Sequence, residues 1–194
     1  YEYNFLIDGK VCVDPYVKEL AGKEKFGVER KLQEHQIRGK IVSMEDYDWQ
    51  EDQRLHLPWE DVVASGLHVR GFTKHSSSKV VHKGTFQGVV EKLDYLKECN
   101  VNCIHLMPFL DSPEGRSDGG YAVADFRKVK PELGTMEDLA KLTDACHAKD
   151  MNVCMDFVMN HTSEDHEWAK RARNGEGEYM SRYFFYDNDK IPKQ

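Results

Sequence analysis

No stretch of the chain approaches the roughly 18 consecutive apolar residues that a helix needs to span a bilayer, and none resembles the core of a signal peptide. There is no basic excess either. Twenty-seven lysines and arginines stand against 34 aspartates and glutamates in 194 residues, a net charge of −7. That balance argues against nucleic acid or an anionic membrane surface as a partner. Cysteine is sparse and unpatterned: Cys12, Cys99, Cys103, Cys146 and Cys154 form an odd set with no C-x-x-C spacing. Lying in apolar segments, they read as reduced, core-filling thiols of a cytoplasmic protein rather than as a disulfide framework. Repeats and low-complexity tracts are also missing. With 40% hydrophobic and 11% aromatic residues, the chain is too apolar for a disordered tail.

What is present changes character along the chain. Tyr1, Tyr3 and Phe5 alternate toward the turn dipeptide Asp8-Gly9, and Val11 and Val13 resume the alternation up to Asp14-Pro15, a β-hairpin pattern. Lys18 to Arg38 is charged and weakly periodic, as in an exposed connector, and Ile41 to Asp52 reads as a short strand followed by an acidic stretch. Residues 1–56 therefore predict the edge of a small β region and a linker, and 57–194 a second, α/β region.

In that second region Val62-Val63 and Leu67 to Val69 suggest a strand interrupted at Ser65-Gly66. Phe86, Val89, Val90, Leu93 and Leu96 fall at helical spacing. Val101 to Met107 reads as a strand buried on both faces, ending at Pro108. Thr135 with Asp138 three residues on opens a helix in the manner of a capping box, carrying Leu139, Leu142, Ala145 and Cys146. Val153 to Val158 is a third buried strand, and Ser163 is placed to cap a helix with Trp168, Ala169 and Ala172. Strands alternating with helices predict a parallel α/β sheet, either doubly wound or a barrel. Polar residues collected after strands two and three favour the barrel, whose chemistry sits at the C-terminal strand ends. The connection from Pro108 to Pro131 is longer than a mere link requires.

Three groups carry candidate chemistry: Ser117-Asp118-Gly119-Gly120-Tyr121, Asp156-Phe157-Val158-Met159-Asn160-His161, and Leu67 to Thr73. In the first, two glycines allow close backbone approach, and a carboxylate and a phenol three residues apart can bind a sugar hydroxyl and stack on a sugar face. The same five residues also read as a plain surface turn. Asp156, placed within an apolar strand, needs a cation or hydrogen-bond donors. It reads equally as a structural buried aspartate, and His161 as a loop histidine. Other groups point to no site. His68, His75 and His82 recur every seven residues without a Cys or acidic companion at ligand spacing. His161, Glu164 and His166 do not have the order of a zinc-protease helix. Lys170 to Arg173 reads as a solvated helix face, and Tyr183 to Tyr186 as an apolar anchor.

Asp156 to His161 resembles the D-x-x-x-N-H signature of the α-amylase superfamily, glycoside hydrolase family 13, and Asp118 with Tyr121 resembles its D-x-x-Y. Residues from about 92 to 194 are most similar to amylosucrase, through Leu106-Met107-Pro108, Leu133-Gly134-Thr135 and Asp156 to Trp168. Residues 1 to about 90 are similar to type I pullulanases and glycogen-debranching enzymes, through Ile7-Asp8-Gly9, Asp14-Pro15-Tyr16 and His68 to Thr73. The change near residue 90 fits an unusual member or a join of two parents. Within strand one, Ala64-Ser65-Gly66-Leu67 stands where the family has a Tyr and Glu before the His-Val-Arg.

The resemblance implies about three β/α units of a (β/α)8 barrel from a retaining hydrolase or transglucosylase acting on sucrose or an α-glucan such as starch, glycogen or pullulan. It implies that Asp118, Tyr121 and His161 bind the glucosyl ring, with Asp156 and Asn160 in support. No organic cofactor is expected. Asn160 is a calcium ligand in many relatives, but none is claimed for the amylosucrase-like ones. The nucleophile and acid/base, which the family carries on strands four and five, have no match after His161 and are expected beyond Gln194. Residues 62–194 supply about half of the ~250 a barrel needs. The reading is of a fragment, inactive alone; a non-catalytic carbohydrate-binding remnant and a non-functional truncated or chimeric frame are the alternatives.

Overall fold

The computed structural model describes residues 1–22, 37–42 and 55–185. The chain divides into two units, Tyr1–Gln53 and Arg54–Gln194. In the first, β1 (Glu2–Tyr3) pairs antiparallel with β5 (Arg38–Lys40), which also pairs with β4 (Glu19–Ala21). The hairpin is β2 (Phe5–Ile7) against β3 (Lys10–Cys12), turned by Asp8 and Gly9 at φ 48° and 73°. Two consecutive left-handed residues match the twist of the flanking strands, which is why an Asp-Gly pair stands there. Of the strand expected from Ile41 only residues 41 and 42 are described; Ile41 adds one rung beyond β5 by donating its N–H to the Tyr1 carbonyl at 2.8 Å. The acidic stretch after it, and most of the expected connector, lie outside the described residues.

The second unit is built on three parallel strands, β6 (Ala64–Leu67), β7 (Cys103–Leu106) and β10 (Asn152–Met155), with β7 in the centre. Register places Leu67, Ile104 and Leu106 on one face and Gly66, Cys103, His105 and Cys154 on the other. The first face is the core. Ile104 and Leu106 are fully buried in one cluster with Phe86, Val89, Leu93, Leu142 and Met151. Burying each such side chain contributes about 1.5–3 kcal/mol.

The helices fill the links between strands. The strand predicted around residues 62–69 keeps Ser65 and Gly66 inside β6 and stops before Val69. His68 leaves the strand, and its Nδ1 accepts the Gly71 N–H at 3.0 Å to cap α1 (Val69–Lys74). The helical stripe from Phe86 forms two pieces, α2 (Phe86–Val90) and α3 (Leu93–Glu98), because Lys92 leaves helical geometry at φ −109°, ψ 1°. Helix α4 (Met136–His147) carries the expected capping box. Thr135 Oγ1 accepts the Asp138 N–H at 3.1 Å, and the Asp138 carboxylate accepts the Thr135 N–H at 2.9 Å. One device ends both crossover helices: Asn100 and Asp150 adopt left-handed φ of 60° and 54°, and the next residues, Val101 and Met151, bond back five positions to the helix and drop into the core.

Two predicted features move. The third strand ends at Met155, not Val158, because its partner β7 ends at Leu106 and runs into Met107-Pro108, and proline donates nothing to the ladder. Its last residues, Cys154 and Met155, are exposed, since among the described residues β10 pairs on one side only. The long connection after Pro108 is partly structured as the hairpin β8 (Leu110–Asp111) and β9 (Asp125–Val129). Helices α5 (Glu167–Arg173) and α6 (Gly177–Met180) follow β10. The cap of α5 is His166, whose Nδ1 accepts the Trp168 N–H at 3.0 Å, while Ser163 instead holds the Asp165 N–H at 3.1 Å.

The five cysteines are free, and only Cys146 fills the core. Burial pushes its thiol pKa up to about 12. Cys99 and Cys154 are exposed because they lie at a helix end and on a strand edge. Among the described residues none of the sheets closes on itself, and no helix is long and apolar enough to cross a membrane.

Candidate active-site wall

Strands β7 and β10 end side by side: the Asp156 N–H donates to the Leu106 carbonyl at 3.0 Å, so Asp156 is the first residue past the shared ladder. Half-buried at that position, its carboxylate does not lie inside a strand, and it obtains its donor from the neighbouring loop. Tyr121 Oη donates to Asp156 Oδ2 at 2.8 Å. This bond to an anionic acceptor is the main reason that the Tyr121 phenol pKa is raised, with desolvation and the charges of Asp156 and Asp118 adding to it.

The loop that delivers Tyr121 is pinned at its base. The Ala124 N–H donates to the Asp111 carbonyl at 2.8 Å and the Lys130 N–H to the Phe109 carbonyl at 2.9 Å. At its tip Asp118, Gly119 and Gly120 all have positive φ. Gly120 is also a close approach: a Cβ there would lie 2.9 Å from both Cβ and the carbonyl oxygen of Pro108. Asp118 is exposed, and among the described residues its carboxylate has no hydrogen bond, leaving it open to solvent.

His161 completes the group from the loop after β10. Its Nε2 lies 3.2 Å from the Tyr121 carbonyl, which can only accept, so Nε2 carries the proton. Its Nδ1 is then free to accept from Asn160 Nδ2, also at 3.2 Å. Both bonds are long for their type, so a hydroxyl could displace either one. Tyr121, Asp156, Asn160 and His161 are thus one hydrogen-bonded chain, and Asp118 reaches it by charge.

Three interactions tie the same two loops together without a signal in residue spacing. The buried Ser163 donates its N–H to the Val123 carbonyl at 2.8 Å, and Arg116 pairs with Glu164 and, at 2.8 Å, with Asp165. Beside them lies a cleft of about 670 Å³ whose walls include Phe126, Phe157, His161, Trp168 and Arg182. His166 lies against Trp168 and Phe126, ring centroids 4.7 and 5.4 Å away, and burial lowers its pKa. An aromatic spacing of 126, 157 and 168 across three elements has no periodicity by which to find it.

The remaining candidates do not converge. His68 and His75 each cap a local turn, and His82 pairs with Glu91 at 2.8 Å. Among the described residues no group of three His, Cys, Asp or Glu is placed to hold a metal ion. In the Lys170–Arg173 run, Arg171 is half-buried, its guanidinium 3.9 Å from the centre of the Tyr179 ring. In the aromatic run Tyr183 acts as an anchor, sharing a hydrogen bond with Thr162 at 2.8 Å; Phe184 and Phe185 are exposed, and Tyr186 is outside the described residues.

A parallel β/α series with its polar residues gathered at the C-terminal strand ends is the plan of a barrel enzyme. The model of the α-amylase catalytic domain matches residues 28–194, and the chain belongs to that family. It is 46% identical over 111 residues to a trehalose synthase/amylase of Mycolicibacterium smegmatis, covering 56% of this chain and 18% of that protein. It is 32% identical over 192 residues to chloroplastic isoamylase 1 of Arabidopsis thaliana, covering 86% and 24%. Among solved structures, an isomaltulose synthase mutant from Erwinia rhapontici in complex with sucrose superposes with a TM-score of 0.60 at 32% identity, over 71% of this chain and 24% of that one. The parallel strands β6, β7 and β10 are therefore part of a barrel, and the chain spans about a fifth to a quarter of the length of these curated relatives.

Proposed function

We propose that the chain provides the glucosyl-binding wall of a retaining hydrolase or transglucosylase that acts on sucrose or an α-glucan. The observation that carries this reading is the hydrogen-bonded chain from Asp156 through Tyr121 to His161 at the ends of two adjacent strands. Tyr121 presents an aromatic face, Asp118 an open acceptor, and His161 a ring N–H in a long bond that a sugar hydroxyl can take over. In a retaining mechanism the sugar passes through an oxocarbenium-like transition state, and two carboxyl groups about 5–5.5 Å apart act as nucleophile and acid/base. On this reading Asp118 and Asp156 are binding and orienting groups, which hold the ring and favour its developing positive charge. The nucleophile and acid/base are, on this reading, supplied by other strands of the barrel.

An assay for fructose from sucrose and reducing ends from maltooligosaccharides tests this division. The 194-residue chain is expected to match the blank. Turnover well above the blank that Asp118→Ala abolishes would contradict it, because the chain would then hold its own nucleophile and acid.

A further inference from the structure

The glucosyl-site reading needs two separate loops in register, residues 112–123 after β8 and 156–166 after β10. Tyr121 is on the first, and Asp156 and His161 on the second. Direct contact between them through site residues consists of one 2.8 Å bond and one 3.2 Å bond. Arg116 stands five positions before Tyr121, and its partners Glu164 and Asp165 three and four positions after His161. Its two terminal nitrogens take one carboxylate each, Nη1 to Glu164 and Nη2 to Asp165. This uses the planar, two-nitrogen fork of a guanidinium, where an ammonium would have to reach both carboxylates from one nitrogen. The acidic pair is held from behind as well: Arg173 Nη2 donates to the Glu164 carbonyl at 2.5 Å, and Lys170 lies 3.8 Å from Asp165.

We propose that Arg116 is a positioning residue: an ionic clasp that fixes the Tyr121 loop against the His161 loop. This rests on the glucosyl-site reading for its purpose but not for its test. Arg116 is largely exposed, with 62% of its side chain accessible, so replacing it leaves the core intact, and its ion pairs are open to screening. The Debye length falls from about 10 Å at 0.1 M salt to about 3 Å at 1 M. A clasp of charges must therefore loosen with salt, whereas packing does not.

Amide hydrogen exchange on the 194-residue chain, without any ligand, reads this directly at Ser163, whose N–H crosses between the loops to the Val123 carbonyl. Arg116→Gln is expected to raise exchange at Ser163 by about three- to tenfold and to abolish its salt dependence, with core amides such as Ile104 unchanged. Arg116→Lys, which keeps charge but not the fork, is expected to recover part of the protection. Unchanged exchange at Ser163 in Arg116→Gln, or equal salt dependence in both proteins, overturns the clasp. Maltotriose is then titrated into both proteins. A weaker complex with Arg116→Gln supports the positioning role, and equal affinity overturns it. If maltotriose binds neither protein, the glucosyl-site reading fails, while the exchange data still decide the clasp.

Discussion

Tyr121 and Asp156 lie 35 positions apart in the chain and 2.8 Å apart in space, with the phenol donating to the carboxylate where two parallel strands end. The bond has a titration signature. The neutral phenol is the donor, so it resists ionisation, and its pKa is raised above 10.0. Its contribution to stability is complete below the unfolded value and lost as pH rises through the folded one. Asp156→Asn removes the anionic acceptor and should return the Tyr121 pKa toward the ordinary tyrosine range. Ultraviolet difference titration of the protein against Tyr121→Phe, which isolates this one phenol, checks it. An unshifted Tyr121 would mean that the two side chains do not meet in solution.

Gly119 and Gly120 separate backbone strain from crowding. Both have positive φ, but a Cβ on Gly119 has no neighbour closer than 3.9 Å, whereas one on Gly120 meets Pro108 at 2.9 Å. Gly119→Ala should cost about 1–2 kcal/mol, the usual strain of a left-handed L-residue. Gly120→Ala should cost more and displace Tyr121. Urea unfolding of both variants gives the ranking.

How much of this could be read in advance depended on whether the signal was local. The Asp8-Gly9 hairpin and the Thr135–Asp138 capping box are decided within four residues, and both stand as expected. The stripe from Phe86 to Leu96 was legible as a buried face, but the break at Lys92 was not. Glu91 reaches back to residues 81 and 82 there, a pairing that spacing does not show. The end of β10 at Met155 is set by its neighbour's proline, a property of another strand. Of the site, the motifs marked Asp118, Tyr121, Asp156, Asn160 and His161. They could not show that Tyr121 donates to Asp156, nor that Arg116 ties the loops.

Glu91 makes the acid side of stability testable. Its carboxylate accepts the Val81 and His82 N–H groups and the His82 ring, in that order of effect, and its pKa lies below 4.5. With the folded value below the unfolded one, the stabilisation is complete above the ordinary carboxylate range and lost as pH falls through the folded value. Glu91→Gln should therefore flatten the loss of stability on acidification, as followed by thermal unfolding between neutral and acidic pH. An unchanged acid profile would remove Glu91 as a contributor.

The core that supports the strand ends should be sensitive to single truncations. Leu142 of α4 is fully buried against the sheet. Leu142→Ala should cost about 2–5 kcal/mol, as for other buried leucines, measured by the shift of a denaturant midpoint at constant slope.

The central claim, a glucosyl-binding wall without the catalytic pair, is tested most directly by titrating sucrose and maltotriose into the isotopically labelled chain and following backbone amides by nuclear magnetic resonance. Free fructose and reducing ends are measured in the same samples. The account predicts saturable millimolar shifts confined to residues 118–121 and 156–161, lost in Tyr121→Ala, with no product formed. Shifts absent from both loops, or product formed by the unmodified chain, would contradict it.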